Sequence, residues 1–360
     1  MDPMPRTVGE ITAPWLTAIL RENGILKETA VTVVAAEPLG VGTGFLGQLA
    51  RLRLTYDRPD ANAPSTLVAK LPSLDAGGRQ VSQLFQFYDR EARFYRELAG
   101  AMPLRVPRCY ASLADADAGD YLLLLEDFGH WPIGDDASGC SAVEAEVAIR
   151  TLARLHRAFW ESPALERLDW VPMVNAPVHH LTEPAYAGSL EPFLKNFGDA
   201  LSPRMRGITE RMAGRIVPLL DAGSRMPRTL IHGDYRLDNL FFPGREVAVI
   251  DWQIACRGQG AFDVAYFLSG CLEPAVRRTE EMRLLRLWHD LVTDGSAIAY
   301  PFDRALTDYR RSVLYCNVYT VIAIGSLDAT NERGMAVFTG WLRRRSAAIE
   351  DLDAGELLPE

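Results

Sequence analysis

The sequence predicts an α+β protein of two lobes, a small, mainly β first lobe and a larger, mainly helical second one. Three observations carry that expectation. Short β-branched or alternating runs crowd the chain as far as Phe128, and amphipathic helical segments fill most of the remaining chain. Gly129, Pro132 and Gly134 interrupt the pattern at the join. Residues 1–129, including a hinge, are expected as the first domain and residues 130–360 as the second.

Each element has its own signal. Val31 to Leu39 is a β-branched run ending in glycines. Gln48 to Tyr56 alternates, with Leu52, Leu54 and Tyr56 on one face and Arg51, Arg53 and Thr55 on the other. Thr66 to Leu71 reads as a third strand, Gly78 to Leu98 as a helix, and Val106 to Leu113 and Tyr121 to Phe128 as further strands. Ser141 to Trp160 sets Ala145, Ala148, Ile149, Leu152, Leu155 and Phe159 on one helical stripe. Residues 203–220, 275–292, 304–327 and 335–349 read as helices too. Among them sits one compact strand-and-loop stretch, Thr229 to Asp251.

Composition narrows the functional classes. The 360 residues are 48% hydrophobic and carry a formal charge of −9, with a pI near 5.3, which speaks against a nucleic-acid partner. The cysteines, Cys109, Cys140, Cys256, Cys271 and Cys316, are scattered and odd in number, so a disulfide framework or zinc site is not expected. Met1 to Leu20 lacks a basic start followed by an apolar run. The most apolar stretch, Val313 to Leu327, contains Asn317, Thr320 and Ser326 and reads as a buried helix rather than a membrane span. A cytoplasmic location is expected. Nothing in the pattern fixes an oligomeric state.

The strongest chemical signal is Leu230-Ile231-His232-Gly233-Asp234-Tyr235-Arg236-Leu237-Asp238-Asn239-Leu240-Phe241-Phe242, followed by Val247-Ala248-Val249-Ile250-Asp251. An apolar strand delivers a polar loop, and a second apolar run presents Asp251 at its end. Phosphoryl transfer needs a group to orient and deprotonate a hydroxyl, and hard oxygen ligands to hold magnesium against phosphates. Asp234 suits the first role as the catalytic residue, and Asn239 and Asp251 suit the second as metal ligands. The order matches the protein-kinase pattern H-R-D-x-x-x-x-N with a later metal-binding aspartate. Turn-making and capping would explain a lone Asp234 or Asn239 equally well. The full pattern with both apolar runs outweighs that explanation.

On these residues the chain resembles the aminoglycoside phosphotransferase and choline kinase superfamily, and within it the ecdysteroid kinase-like group. The resemblance rests on His232 to Asn239, Ile250-Asp251-Trp252-Gln253, Asp263-Val264-Ala265-Tyr266-Phe267-Leu268 and Leu152 to Trp160. It implies a two-lobed protein-kinase-like fold and an ATP- and magnesium-dependent kinase acting on a small hydroxylated molecule. Gly233 stands where protein kinases carry an arginine, and no A-P-E segment follows Asp251, which favours a small acceptor. Lys70 resembles the strand lysine that meets the phosphates, with Glu91 as its partner and Glu97 as a weaker candidate. Either residue alone would read as surface.

The glycine cluster from Gly40 to Gly47 includes Gly42 and Gly44, which are expected to lie over the phosphates. Its formal G-x-G-x-x-G precedes a strand rather than a helix, which counts against a nicotinamide-dependent oxidoreductase. A plain β-turn remains open. Asp127-Phe128-Gly129 spells D-F-G but precedes the catalytic loop, so Glu126 to Phe128 are expected as the hinge that meets the base. His232 and His156 read as structural, and Asp263 as a brace for the loop.

The acceptor is expected to contact residues 161–225. Eight acidic and seven basic residues there do not make a cradle for a polycation, and Trp170, Val171, Met173, Val174, Phe193, Phe197 and Met205 favour a partly apolar alcohol or serve as core. The rival to catalysis is a silent nucleotide-binding regulatory protein.

Overall fold

The computed structural model describes residues 3–40, 47–115, 118–325 and 332–360. The chain divides into two compact units. One comprises Met1–Met102, Val106–Trp131 and Ile250–Gln253; the other comprises Pro103–Arg105, Pro132–Val249 and Ile254–Glu360.

In the first unit, five strands form an antiparallel sheet: β1 (Val31–Pro38), β2 (Gly47–Tyr56), β3 (Thr66–Pro72), β4 (Cys109–Asp115) and β5 (Asp120–Glu126). Their order is β1-β2-β3-β5-β4, so β3 is central. Alternation along β3 buries Leu67, Ala69 and Leu71 with Leu52, Leu54, Leu122 and Leu124, and leaves Lys70 on the opposite face. A helix absent from the sequence expectation, α1 (Ala13–Glu22), covers the apolar face through Trp15, Leu16, Ile19 and Leu20. Its start was legible: Thr12 accepts the Trp15 N–H at 3.3 Å, and a proline sits in the first turn.

The single helix expected over residues 78–98 is broken. Gln86 adopts φ 58°, dividing α2 (Ala76–Leu84) from α3 (Phe87–Arg93), and a π-helical turn follows at Phe94–Leu98. No glycine or proline announces this break. The Arg90 side chain supports it from outside the local pattern, donating to the Phe85 carbonyl at 3.0 Å.

The second unit is mainly helical. It begins with α4 (Ala142–Phe159), whose start is a reciprocal capping box between Ser141 and Glu144. Then come α5 (Pro163–Glu166), α6 (Thr182–Phe197), α7 (Pro203–Met212) and α8 (Ile216–Gly223). The helix expected over 203–220 is thus two, parted near Gly214, where φ is 76°. Short strands β6 (Thr229–Ile231), β7 (Leu240–Phe241), β8 (Ala248–Val249) and β9 (Cys256–Gly258) pair as β6 with β9 and β7 with β8. The chain ends in α9 (Ala261–Cys271), α10 (Pro274–Thr293), α11 (Phe302–Gly325) and α12 (Glu332–Asp351). Every residue of α9 is buried, so it has no amphipathic stripe to read. Among the described residues, no helix is long and apolar enough to cross a membrane.

Candidate active site

The residues singled out by sequence fall into two sets, one in each unit. In the first unit, Lys70 on β3 lies 2.7 Å from Glu91 of α3 and 2.9 Å from Asp251. Glu97 pairs instead with Arg93 at 3.0 Å, which leaves Glu91 as the partner of the lysine. Asp251 belongs to a four-residue segment that packs with α3. Trp252 stacks on Phe94, centroids 4.3 Å apart and planes 6° from parallel, and Arg90 reaches the Gln253 carbonyl at 3.4 Å. A stacked pair of this kind contributes about 1 kcal/mol beyond its buried area. Asp251 itself has φ 64°, a left-handed conformation that aspartate tolerates better than most residues.

The electrostatics follow from this crowding. Burial works against the Lys70 ammonium, yet Asp251 and Glu91 together raise its pKa. Burial, reinforced by Asp251, pushes Glu91 up to about 7 against the pull of Lys70. One cation thus serves two carboxylates.

Elsewhere in this unit, Glu126 ends β5, its N–H bonded to the Arg108 carbonyl at 2.8 Å. Phe128 is buried against Trp131, centroids 4.6 Å apart. Asp127 of the D-F-G string is held by Arg51 at 2.6 Å and caps the Gly129 N–H, a structural role. Gly42 and Gly44 lie outside the described residues.

In the second unit, β6 runs into the loop that carries Asp234. Asp263, in the first turn of α9, accepts the backbone N–H groups of His232 at 2.7 Å and Gly233 at 2.9 Å. It also faces His156 Nε2 at 3.2 Å, while Trp288 Nε1–H donates to His156 Nδ1 at 2.9 Å. Nδ1 is therefore the acceptor, and Nε2 carries the proton toward Asp263. His232 Nδ1 accepts the Asp234 N–H at 3.2 Å. Gly233 has φ 86°, and a Cβ there would meet the Ile254 carbonyl at 2.8 Å. Any side chain at that position would be strained and would press on that carbonyl.

Asp234 is fixed through one oxygen. Its Oδ2 receives Arg236 Nε and Asn239 Nδ2, both at 3.0 Å, and Asn239 Nδ2 also reaches the Asp234 carbonyl at 2.9 Å. Burial favours the neutral acid, but Arg236, then His232 and the Tyr266 hydroxyl, hold the carboxyl below its usual range. Arg236 is itself clamped by Asp136 at 2.5 Å and Asp238 at 3.1 Å, and Asp136 accepts the Leu237 N–H at 3.0 Å. Sequence reasoning gave no role to Arg236 or Asp136. Arg236 lay inside the motif two residues from Asp234, whereas Asp136 is about a hundred residues away in the chain.

Of the seven apolar residues expected to favour the acceptor, Trp170, Val171, Val174, Phe193 and Met205 are buried in the core. Met173 and Phe197 are half-buried.

The chain matches the phosphotransferase enzyme family over residues 50–298 and belongs to it. A homoserine kinase of Bradyrhizobium diazoefficiens is 28% identical over 148 residues, covering 41% of this chain and 40% of that protein. One from Rhodopseudomonas palustris is 30% identical over 188 residues, covering 51% and 46%. The chain spans less than half the length of these curated relatives. In three dimensions it is similar to a choline kinase from Cryptosporidium parvum, with a TM-score of 0.55, 12% identity and coverage of 94% of this chain and 97% of that one. The fold is thus that of kinase-like phosphotransferases, with an antiparallel β lobe and a helical lobe.

Proposed function

We propose that the protein is a small-molecule kinase that moves the γ-phosphate of ATP to a hydroxyl of a low-molecular-weight acceptor. The observation that carries this reading is the hold on Asp234: half-buried, its Oδ2 receives Arg236 Nε and Asn239 Nδ2, both at 3.0 Å. Such a carboxylate can receive a hydroxyl hydrogen bond, and late in the reaction its proton, without first reorganising.

The donor set fits magnesium carried in on a nucleotide. Among the described residues no cluster of three or more metal-binding side chains exists. Magnesium on a nucleotide needs only one or two protein oxygens besides the phosphates, and Asn239 and Asp251 offer these. When bound, MgATP would supply the phosphoryl group and neutralise charge as it transfers. Lys70, held by Glu91, would meet its phosphates, and Glu126 and Phe128 would border its base. Asp234 orients the acceptor. With a loose transition state, this positioning outweighs strong base catalysis.

Within the family, the ecdysteroid kinase-like group remains our assignment, on His232 to Asn239 and Ile250 to Gln253. The acceptor is proposed on its hydroxyl, and its partly apolar character rests on Met173 and Phe197. The names of the partial relatives make L-homoserine the first compound to test. The cytoplasm, which supplies ATP, is the proposed location.

The test is a mass-spectrometric screen with MgATP against pooled hydroxylated compounds including L-homoserine, with Asp251→Asn as control. A phosphoryl mass gain absent from the control is expected. Failure of both ATP binding and product formation would overturn the proposal. Binding without product from any pool would favour a silent nucleotide-binding regulator.

A further inference from the structure

The hold on Asp234 is one-sided. Its Oδ2 takes both Arg236 Nε and Asn239 Nδ2 at 3.0 Å, while Oδ1 takes no hydrogen bond among the described residues. A guanidinium left to itself prefers to grip a carboxylate with two parallel N–H groups, one to each oxygen. Arg236 gives Asp234 only one. Its other edge is engaged elsewhere, with Nη1 reaching Asp136 Oδ2 at 2.5 Å and Asp238 Oδ2 at 3.1 Å. The guanidinium is thus pinned between Asp234 on the Nε side and two carboxylates on the Nη1 side.

Of those two carboxylates, Asp136 is the more firmly set. It is fully buried, and its Oδ1 accepts the Leu237 N–H at 3.0 Å. Its own N–H donates to Asp238 Oδ1 at 3.1 Å. Its carbonyl accepts Nη1 of Arg344, itself fully buried, at 2.7 Å. Burial pushes the Asp136 carboxyl up against the pull of Arg236. An asparagine would fill the same space and accept the same Leu237 N–H without the cost of a buried charge. A carboxylate is explained at this place by the cation it holds.

We propose that Asp136 is a positioning residue that keeps one oxygen of Asp234 open. By holding Nη1 it stops Arg236 from turning its fork onto both oxygens, so that Oδ1 stays free for the acceptor hydroxyl. This inference rests on the reading of Asp234 as the group that receives that hydroxyl.

The experiment uses the full chain. Asp136→Asn keeps the shape and the Leu237 bond and loses the charge that holds Nη1, and Arg236→Met removes the fork. Magnesium-dependent phosphate release from ATP, with water as the acceptor, is measured for wild type, Asp234→Asn, both single variants and their double variant. The Asp136→Asn chain is also crystallised. Asp136→Asn is expected to lower kcat about tenfold, with KM for MgATP changed less than about twofold. In the Arg236→Met background it lowers the rate no further, because the fork it would release is gone. The Asp136→Asn crystal is expected to show Arg236 bonded to both oxygens of Asp234.

Two results overturn the proposal while the reading of Asp234 stands: Oδ1 still open in that crystal, or an equal loss with and without Arg236, which marks general loosening of the loop. Equal rates for wild type and Asp234→Asn overturn that reading, and the proposal with it. If wild type releases no phosphate, the crystal alone decides. If Asp136→Asn fails to fold, a crystal of Asp238→Asn, which loosens the same Nη1, is read by the same criterion.

Discussion

Glu91, buried, and Asp234, half-buried, are both carboxylates beside a cation, and they shift in opposite directions. Glu91 is pushed up to about 7, while Asp234 is held below its usual range. Burial opposes charge in both, so burial does not decide the outcome. Glu91 shares one lysine with a second carboxylate. Asp234 receives a guanidinium and an amide on one oxygen. The count of donors aimed at each group sets the sign, so the second unit holds a charge ready for use and the first holds a crowded set that a further cation would relieve.

The largest effect should come from the donor-rich side. Asp234→Ala is expected to lower turnover roughly 10³-fold while nucleotide affinity, followed by calorimetry, stays within about twofold. A parallel loss of nucleotide binding would erase the division of labour between the two sets. Lys70→Met should show the converse, with kcat/KM for MgATP down about 100-fold. If Glu91→Gln left that parameter untouched, Glu91 would lose its assigned hold on the lysine.

A structural test of the loop comes next. Gly233→Ala forces a side chain into a φ of 86° and against the Ile254 carbonyl, and should cost about 1–3 kcal/mol, read in denaturant melts. An unchanged midpoint would show that the loop can relax around Cβ.

The smallest effect concerns a carboxylate with donors but little burial. Hydrogen bonds from Arg343, opposed by slight burial and helped by Arg344, bring Glu273 down to about 2. A lowered pKa contributes stability that is present above about 4.5 and lost as pH falls toward 2. Because the side chain is 37% exposed, solvent screening keeps this below about 1 kcal/mol. The gap in melting temperature between wild type and Glu273→Gln should therefore be small at pH 7 and close by pH 2. A gap that widened in acid would show the sign to be wrong.

The sheet and the loop were legible because their signals are local. Leu52 and Leu54 alternate with Arg51 and Arg53, and Asp234, Asn239 and Asp251 follow one another at a recognisable spacing. What escaped depends on partners distant in the chain. The break at Gln86 is supported by Arg90, whose head reaches both Phe85 and Gln253. Asp136 acts on the loop from about a hundred residues away in the chain. The acceptor preference drawn from Trp170, Phe193 and Met205 lost most of its support because apolar residues in a helical lobe are first of all core.

The grouping of Ile250–Gln253 with the first unit bears on how the protein is made. A chain emerging from the ribosome completes Trp131 long before Asp251, a lag of roughly 10 s at ordinary synthesis rates. During that interval the sheet can form, but Lys70 has only Glu91, and Phe94 lacks the Trp252 ring that will cover it. The first unit is thus finished by residues synthesised after most of the second unit's loop. A fragment ending at residue 131 is expected to be less stable than its apparent domain boundary suggests, with the face around Phe94 left uncovered.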